Sequence, residues 1–348
     1  MVTIKDVAKK ASVSPATVSL VLNRTSHSPP ISEATRARVV EAARELGYQP
    51  NSFAQALRKN KSSAIAILAF DIIDPYCAHV MRGAEEVINA NDYYPMLFDL
   101  QNDQHKMERY IALFEKRRVE GLLILASSLS LDHALLFKQR GKEVPFVVIG
   151  REVQDASVPT IVTDNIGGAY TATAHLLDLG HEKIGFILGP SNYVDSQQRW
   201  EGGTRALRDR GLAIDEGLTV EETLDGWGPQ AGYHSMKELL ARGREITAVV
   251  AFDDISAFGA IRAITEAGFR VPDDISVVGF DDLPAAAFYN PPLTTIHYSM
   301  VDMGRTGAEL LLELIRGKDR EGMSLKTLAQ SRLVVRKTTA PPCPRASA

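Results

Sequence analysis

The residues with the most chemical promise are two pairs of adjacent aspartates, Asp253-Asp254 and Asp281-Asp282, each closing an apolar run. Paired carboxylates can hold a divalent cation for hydrolysis. Neighbours on an extended segment point in opposite directions, however, so one of each pair should face a cleft while the other caps its own lobe. The 8 histidines show no metal-ligand spacing, and the 2 cysteines, Cys77 and Cys343, stand too far apart in sequence to suggest a metal site or a disulfide framework. There is no G-x-S-x-G elbow, no G-x-x-x-x-G-K phosphate loop and no G-x-G-x-x-G run. The sequence therefore predicts no metal, no cofactor and no enzyme.

Near the start of the chain the residues suit a different chemistry. Ile4, Val7, Ala8 and Ala11 recur at helical spacing opposite Lys5, Lys9 and Lys10. Ser14-Pro15 then opens a second helix: the serine oxygen can accept from a free backbone amide, and proline sits where no N–H is needed. Val18, Val21 and Leu22 fall on its inner face, leaving Pro15, Ala16, Ser19, Leu20 and Asn23 outward. Small outward residues let a helix approach a base-pair edge closely. By itself the pattern fits equally a capped helical hairpin that packs and binds nothing.

The elements that would position these residues follow from composition and order. With 348 residues, 45% apolar and 24% charged, the chain exceeds one core and reads as an ordinary globular protein of two or three domains. The net charge of −4 hides an asymmetry. Residues 1–61 carry ten Lys or Arg against four Asp or Glu, and the remainder has 29 against 39. A basic head on an acidic body is expected where only the head meets a polyanion. No signal peptide or spanning segment is evident, so a cytoplasmic, nucleoid-associated location is expected and no membrane partner.

After a Ser- and Pro-rich loop, Ser32 caps a third helix in which Val39, Ala43 and Leu46 share a face and Gly47 marks the end. This predicts a small all-α helix-turn-helix head at 1–49, followed by a short helix and basic linker at 50–63. From residue 64, apolar runs of strand length at 64–70, 96–100, 121–126, 146–150, 184–188, 248–252 and 275–280 alternate with helical patterns. Such alternation predicts parallel sheets covered on both faces. Too many strands for one sheet imply an α/β body of two doubly wound lobes at 64–340. Lobe one is expected at about 64–163 and 296–326, lobe two at about 164–293 and 327–340, with a return crossing near 293–297 and a closing strand near 332–336. The tail at 341–348 is expected to be disordered.

With these residues in view, the chain resembles the LacI/GalR bacterial transcription regulators. The matching runs begin with Thr-Ile-Lys-Asp-Val-Ala, Ala-Ser-Val-Ser-Pro-Ala-Thr-Val-Ser and Val-Leu-Asn, then Gly47-Tyr48-Gln49-Pro50-Asn51 and Asp74-Pro75-Tyr76. They continue with Leu179-Gly180-His181, Gly189-Pro190 before Arg199, Phe252-Asp253-Asp254, Val278 to Asp282, and Pro292 to Ile296. The resemblance implies a hinge helix at 50–63, a periplasmic-binding-protein-like body, a homodimer on double-stranded operator DNA, and a small-molecule effector in the cleft.

It also places the contacts. Pro15, Ala16 and Leu20 fall where the family's second helix touches base edges in the major groove; being apolar, they can sense thymine methyls but cannot make arginine's bidentate bond to guanine. An arginine is common in the family where Leu20 stands. Thr17, Ser19, Asn23 and Arg24 are assigned to phosphates, and Thr3, Ser14, Tyr48, Asn51 and Ala54 complete the DNA set. Leu57 corresponds to the hinge leucine that wedges into the minor groove, or else is a partly exposed helical leucine.

In the body, ligands lie beyond the carboxyl ends of strands. Asp281 is expected to accept from vicinal hydroxyls or to cap its loop; Arg199 offers a planar fork for a ligand or an inter-helix ion pair. Trp227 can stack on a sugar or base or belong to the core, and Tyr76, Asp164 and Asp253 are further effector-binding candidates. The expected function is a ligand-responsive repressor of carbohydrate-utilisation genes. A purine- or nucleoside-responsive repressor is the alternative. A cytoplasmic sugar-binding protein without a DNA role is opposed by the basic head and by the missing export signal.

Overall fold

The computed structural model describes residues 2–22, 31–48, 62–101, 103–117, 119–127, 144–153, 158–222, 228–243, 245–317 and 325–343. It divides into two compact units, residues 1–63 and 64–348.

In the head, α1 (Ile4–Ala11), α2 (Pro15–Leu22) and α3 (Glu33–Glu45) enclose a core of Val7, Ala8, Ala11, Val18, Val21, Val39, Ala42 and Ala43. The apolar spacing expected from sequence is the spacing that is buried, with Leu22 and Leu46 at its margin. Each helix start is fixed locally. Thr3 and Asp6 form a reciprocal capping box, Ser14 Oγ accepts from the Thr17 N–H at 3.1 Å, and Ser32 Oγ accepts from the Thr35 N–H at 3.3 Å. Gly47 follows α3 with φ of +62°, a left-handed turn that glycine adopts without steric cost.

The body contains two six-stranded sheets among its described residues. Lobe one pairs β2 (Tyr94–Asp99), β1 (Ala64–Ala69), β3 (Gly121–Leu125), β4 (Phe146–Ile149), β5 (Thr160–Thr163) and β11 (Lys326–Ala329) in that spatial order, all parallel. Lobe two repeats the plan with β7 (Thr219–Glu221), β6 (Ile184–Leu188), β8 (Ala248–Val250), β9 (Ser276–Asp281), β10 (Thr294–His297) and β12 (Arg332–Val334), the last antiparallel. The helices between them are α4 (Pro75–Ala90), α5 (Gln104–Arg117), α6 (Asn165–Asp178), α7 (Val194–Asp209), α8 (Pro229–Ala241), α9 (Asp254–Glu266), α10 (Pro284–Phe288) and α11 (Met300–Ile315). No described helix is long and apolar enough to cross a membrane.

Three expected boundaries move. Residues 294–297 are a strand of lobe two, and the return crossing follows at 298–299. Residues 326–329 belong to lobe one, where they pair with β5; this edge strand alternates half-buried and exposed residues, so it offers no continuous apolar run to read. The third crossing therefore lies at 330–331. The expected disorder begins too early: the described chain continues to Cys343, and the Ala340 carbonyl is held by Ser276 Oγ at 3.0 Å and His181 Nε2 at 2.8 Å. Residues 344–348 lie outside the described residues.

Close backbone contact sets the rim of lobe two. A Cβ on Gly259 of α9 would meet the Pro229 carbonyl oxygen at 1.9 Å, and one on Gly232 of α8 would meet the Ser256 carbonyl oxygen at 2.1 Å. The paired glycines let α8 and α9 touch, which places Gly228, Pro229 and Ala231 beside Asp253 at the cleft.

Candidate functional sites

On the head, Thr3, Ser14, Pro15 and Ala16 are exposed, while Thr17, Ser19, Leu20 and Tyr48 are half-buried. Part of this polar set is already engaged: Thr3 Oγ1 donates to Asp6 at 2.7 Å, and Ser14 Oγ lies 2.9 Å from Thr17 Oγ1. What remains outward at the start of α2 is the apolar pair Pro15 and Ala16, with Lys5 and Lys9 exposed on α1. Tyr48 packs against the head's core. Asn23, Arg24, Asn51, Ala54 and Leu57 lie outside the described residues.

In the body, a cleft of about 190 Å³ is lined from lobe one by Ile73, Asp74 and Tyr76 and from lobe two by Glu222, Phe252, Asp253 and Asp281. A smaller pocket adjoins it and adds Phe70, Ser127, Tyr193, Asp195, Arg199 and Tyr298. Most of these residues stand within a few positions of the carboxyl end of a strand: β1 delivers Phe70 and Asp74, β3 Ser127, β7 Glu222, β8 Phe252 and Asp253, and β9 Asp281. β1 with β3, and β6 with β8, bracket the point where the winding direction reverses in each lobe, the place at which doubly wound sheets bind ligands.

Arg199 is the organising cation. Its Nε donates to Asn165 Oδ1 at 3.0 Å, Nη1 donates to the Phe252 carbonyl at 2.5 Å, and Nη2 lies 3.6 Å from Asp281 Oδ1. Its guanidinium carbon sits 3.8 Å from the Phe280 ring centroid and 4.7 Å from that of Phe252. Asp281 also accepts from the Tyr298 hydroxyl at 2.8 Å and is held at φ of +112°, a region disfavoured for a residue with a side chain. Burial lifts its carboxyl well above the usual range against the pull of Arg199.

One aspartate of each pair lines the cleft, but not by alternation along an extended segment: Asp253 caps α9 and Asp254 opens it, while Asp281 and Asp282 both have positive φ. Asp253 and Asp281 line the cleft. Asp254 is fully buried, accepting from the Leu283 N–H at 2.7 Å and Thr295 Oγ1 at 2.5 Å. Asp282 accepts from Arg336 Nη2 at 2.6 Å and lies 2.9 Å from His297 Nδ1. Asp253 has a second duty as cap of α9, accepting from the Ser256 N–H at 2.6 Å. No group of three or more His, Cys, Asp or Glu among the described residues is arranged to hold a metal.

Of the expected effector residues, Tyr76, Arg199, Asp253 and Asp281 come together, and Trp227 lies outside the described residues. Asp164 does not join them. It caps α6, accepting from the Gly167 N–H at 2.9 Å, and its backbone ties two lobe crossings together through Ala329 and Ser331. Its neighbour Asn165 is the residue that reaches Arg199. Asp74, Asp195 and Glu222 were not singled out in the sequence. Asp74 stands in the Asp-Pro-Tyr run and Glu222 directly after a short strand, so the strand-end rule could have found both. Nothing local marks Asp195. Burial, as the leading cause, raises the carboxyls of Asp195, of Asp74 to about 7 and of Glu222 to about 8.

A helix-turn-helix head in one chain with a two-lobed α/β ligand body defines the class: a DNA-binding regulator that answers to a small molecule. The family model described as bacterial regulatory proteins, lacI family, matches residues 3–51, and that of the periplasmic binding protein-like domain matches residues 173–339. The chain is 37% identical over 319 residues to the HTH-type transcriptional repressor PurR of Haemophilus influenzae strain PittEE, covering 92% of this chain and 93% of that one. It is 35% identical to PurR of Pasteurella multocida strain Pm70, over 97% of this chain and 98% of that one. Among solved structures, the lac repressor dimer bound to operator and the anti-inducer ONPF aligns with a TM-score of 0.86 at 30% identity, over 97% of this chain and 99% of that one. A CelR–cellobiose complex aligns with a TM-score of 0.73 at 29% identity, over 97% and 100%. The chain belongs to the lacI family of bacterial regulatory proteins. It is a DNA-binding transcriptional repressor, and its relatives are regulators rather than enzymes.

Proposed function

We propose that the repressor works in the cytoplasm as a homodimer whose two heads grip a roughly palindromic operator, and that the cleft takes a polyhydroxylated, sugar-like effector. The operator side rests on the head: Pro15, Ala16 and Leu20 read base edges by apolar contact, Thr3, Ser14, Thr17, Ser19, Asn23, Arg24, Tyr48, Asn51 and Ala54 position the helix, and Leu57 opens the minor groove. The lac repressor neighbour, a dimer bound to operator, supports this arrangement. The genes controlled are then those of carbohydrate use.

The single observation that carries the effector reading is the acceptor-rich cleft. Carboxyls from both lobes, Asp74 on one side and Glu222, Asp253 and Asp281 on the other, converge beside the guanidinium of Arg199 and the rings of Tyr76 and Phe252. Carboxylates accept from vicinal hydroxyls, and an aromatic ring covers the apolar face of a sugar. A purine effector is the second reading, favoured by the PurR relatives.

A thermal-shift screen of sugars and nucleobases on the full chain, repeated on Asp253→Asn and Asp281→Asn, separates the two. Sugar shifts that vanish in both variants are expected; nucleobase shifts without sugar shifts establish the purine reading, and shifts unchanged in both variants refute the cleft. For the head, Leu20→Arg is expected to move operator preference toward guanine by about 1–3 kcal/mol at one position. Identical selected motifs for both proteins would refute the assignment of Leu20 to base reading.

A further inference from the structure

The larger part of the cleft is lined by four carboxyl groups, Asp74, Glu222, Asp253 and Asp281, and by no lysine, arginine or histidine among the described residues. Arg199, on the adjoining pocket, is committed to Asn165, to the Phe252 carbonyl and to Asp281. Asp74 and Asp253 each accept from a backbone N–H, at 2.8 Å and 2.6 Å.

Glu222 differs from these. It is 8% exposed; Ser256 bonds its carboxyl, and its Oε1 has no hydrogen-bond partner among the described residues. A buried acceptor left unbonded is costly, and a donor arriving from the cleft would relieve that cost. Burial first, and the charge of Asp253 after it, lifts the Glu222 carboxyl to about 8, and the same Asp253 charge adds to the rise at Asp74. In this poorly solvated recess Glu222 and, in part, Asp74 hold a proton near neutral pH, with Arg199 pulling the other way on Asp74; an arriving cation would favour release of those protons and meet carboxylates.

We infer that the effector presents a protonated amine to Asp74, Glu222 and Asp253 while its hydroxyls meet Arg199 and Asp281. The inference rests on the polyhydroxyl reading of the cleft and narrows it to amine-bearing polyols such as amino sugars. An ammonium offers three donors and no acceptor, which suits an unbonded carboxyl oxygen flanked by two further acids. A phosphate or carboxylate on the ligand would bring another negative charge into the same recess, where weak screening makes like charges repel strongly. Sugar phosphates and uronates are therefore expected to bind more weakly than their amine counterparts.

Matched sets test this on the full chain: D-glucose, D-glucosamine and D-glucose 6-phosphate, with the galactose and mannose counterparts, titrated by thermal shift and calorimetry. In at least one set the amine is expected to bind about tenfold or more tighter than its neutral parent, as a charge-assisted hydrogen bond allows, with the phosphate binding more weakly than the amine. Glu222→Gln keeps the shape and removes the carboxylate that an ammonium would stabilise, and should cut the amine's advantage by about tenfold. The ranking on the unmodified chain stands whether or not that variant folds. A neutral or phosphorylated member that binds as well as its amine overturns the inference and leaves the polyhydroxyl reading intact. Binding by none of the sets overturns both.

Discussion

The acids of the head are exposed and anchored: Asp6 accepts from the N–H and hydroxyl of Thr3, and Glu41 pairs with Arg44, so both carboxyls lie below their ordinary values. In the body the notable acids are buried, and Asp74, Glu222 and Asp254 are raised to between about 7 and about 8. A head of short helices over an alanine- and valine-rich core can place charge only on its surface, where water screens it. Two facing lobes can bury charge, and a buried charge holds a ligand strongly or, unpaired, destabilises its own fold. The head relies on caps and local order, and the body on buried polar groups.

The largest expected effect that would break this contrast is at Arg199. Its side chain and that of Asp281 are only 10% and 12% exposed, so Arg199→Ala leaves a buried carboxyl without its cation. Removing one member of a buried pair costs about 3–5 kcal/mol, to be read as the loss in unfolding free energy of the body by denaturant titration. The head's Lys10–Glu45 pair, with 41% and 46% of each side chain exposed, should yield under about 1 kcal/mol in the same experiment with Lys10→Ala. Equal losses at the two sites would remove the distinction between buried and exposed charge.

These two charge systems were also unequally legible in sequence. The head's functional face is local: Ser14-Pro15, the spacing of Val18 and Val21, and the outward Pro15 and Ala16 all lie within one short segment, and their period states which side is buried. The two-lobed plan was legible because buried parallel strands are continuous apolar runs, whereas the half-exposed edge strand at 326–329 was not. The cleft is assembled from strand ends more than a hundred residues apart, so the family resemblance supplied Arg199 and Tyr76. Alternation along an extended segment said only that one of each aspartate pair faces the cleft, and a helix start at Asp254 and positive φ at Asp281 and Asp282 make that division instead. Asp164 misled because a carboxylate at a helix start serves a cap as readily as a ligand. Glu222 and Asp195 acquire their chemistry only from burial, which tertiary packing decides.

Acidity should sharpen the contrast by giving the two units opposite trends. Burial leads in raising folded Asp254 from an ordinary value of 3.8 to about 8, with Asp253 and Asp282 adding to it while Thr295 and the Leu283 N–H oppose it. The folded body therefore holds a proton that the unfolded chain has released between those values. Body stability is greatest below about pH 4 as far as this group is concerned, and falls as pH rises through about 8. Asp6 and Glu41 are lowered, so their contribution to the head is present at neutral pH and lost as pH falls through and below the ordinary carboxylate range. Thermal unfolding followed by hydrogen exchange between pH 5 and 8.5 should show the body's protection declining with pH and the head's holding. Asp254→Asn should flatten the body's slope, and a slope unchanged in that variant would assign the proton elsewhere.

The smallest effect concerns the caps. Ser14→Ala removes the acceptor for the Thr17 N–H at the start of α2 and the partner of the Thr17 hydroxyl. Such a loss costs about 1 kcal/mol. In the body this would be a minor fraction of a large core; in the head, whose buried set is Val7, Ala8, Ala11, Val18, Val21, Val39, Ala42 and Ala43, it is a substantial part of the whole. Amide exchange in α1 to α3 of the full chain should accelerate about fivefold while that of the body's strands is unchanged, since about 1 kcal/mol corresponds to that factor in an opening equilibrium. Asp253→Ala removes the corresponding cap from α9, but it also relieves the crowding of charge around Glu222 and Asp281, so its net cost to the body should be smaller than the cap alone predicts. If the two cap deletions cost the same, the cleft acids would not be repelling one another, and the distinction between a head held by caps and a sensor strained by charge would fail there.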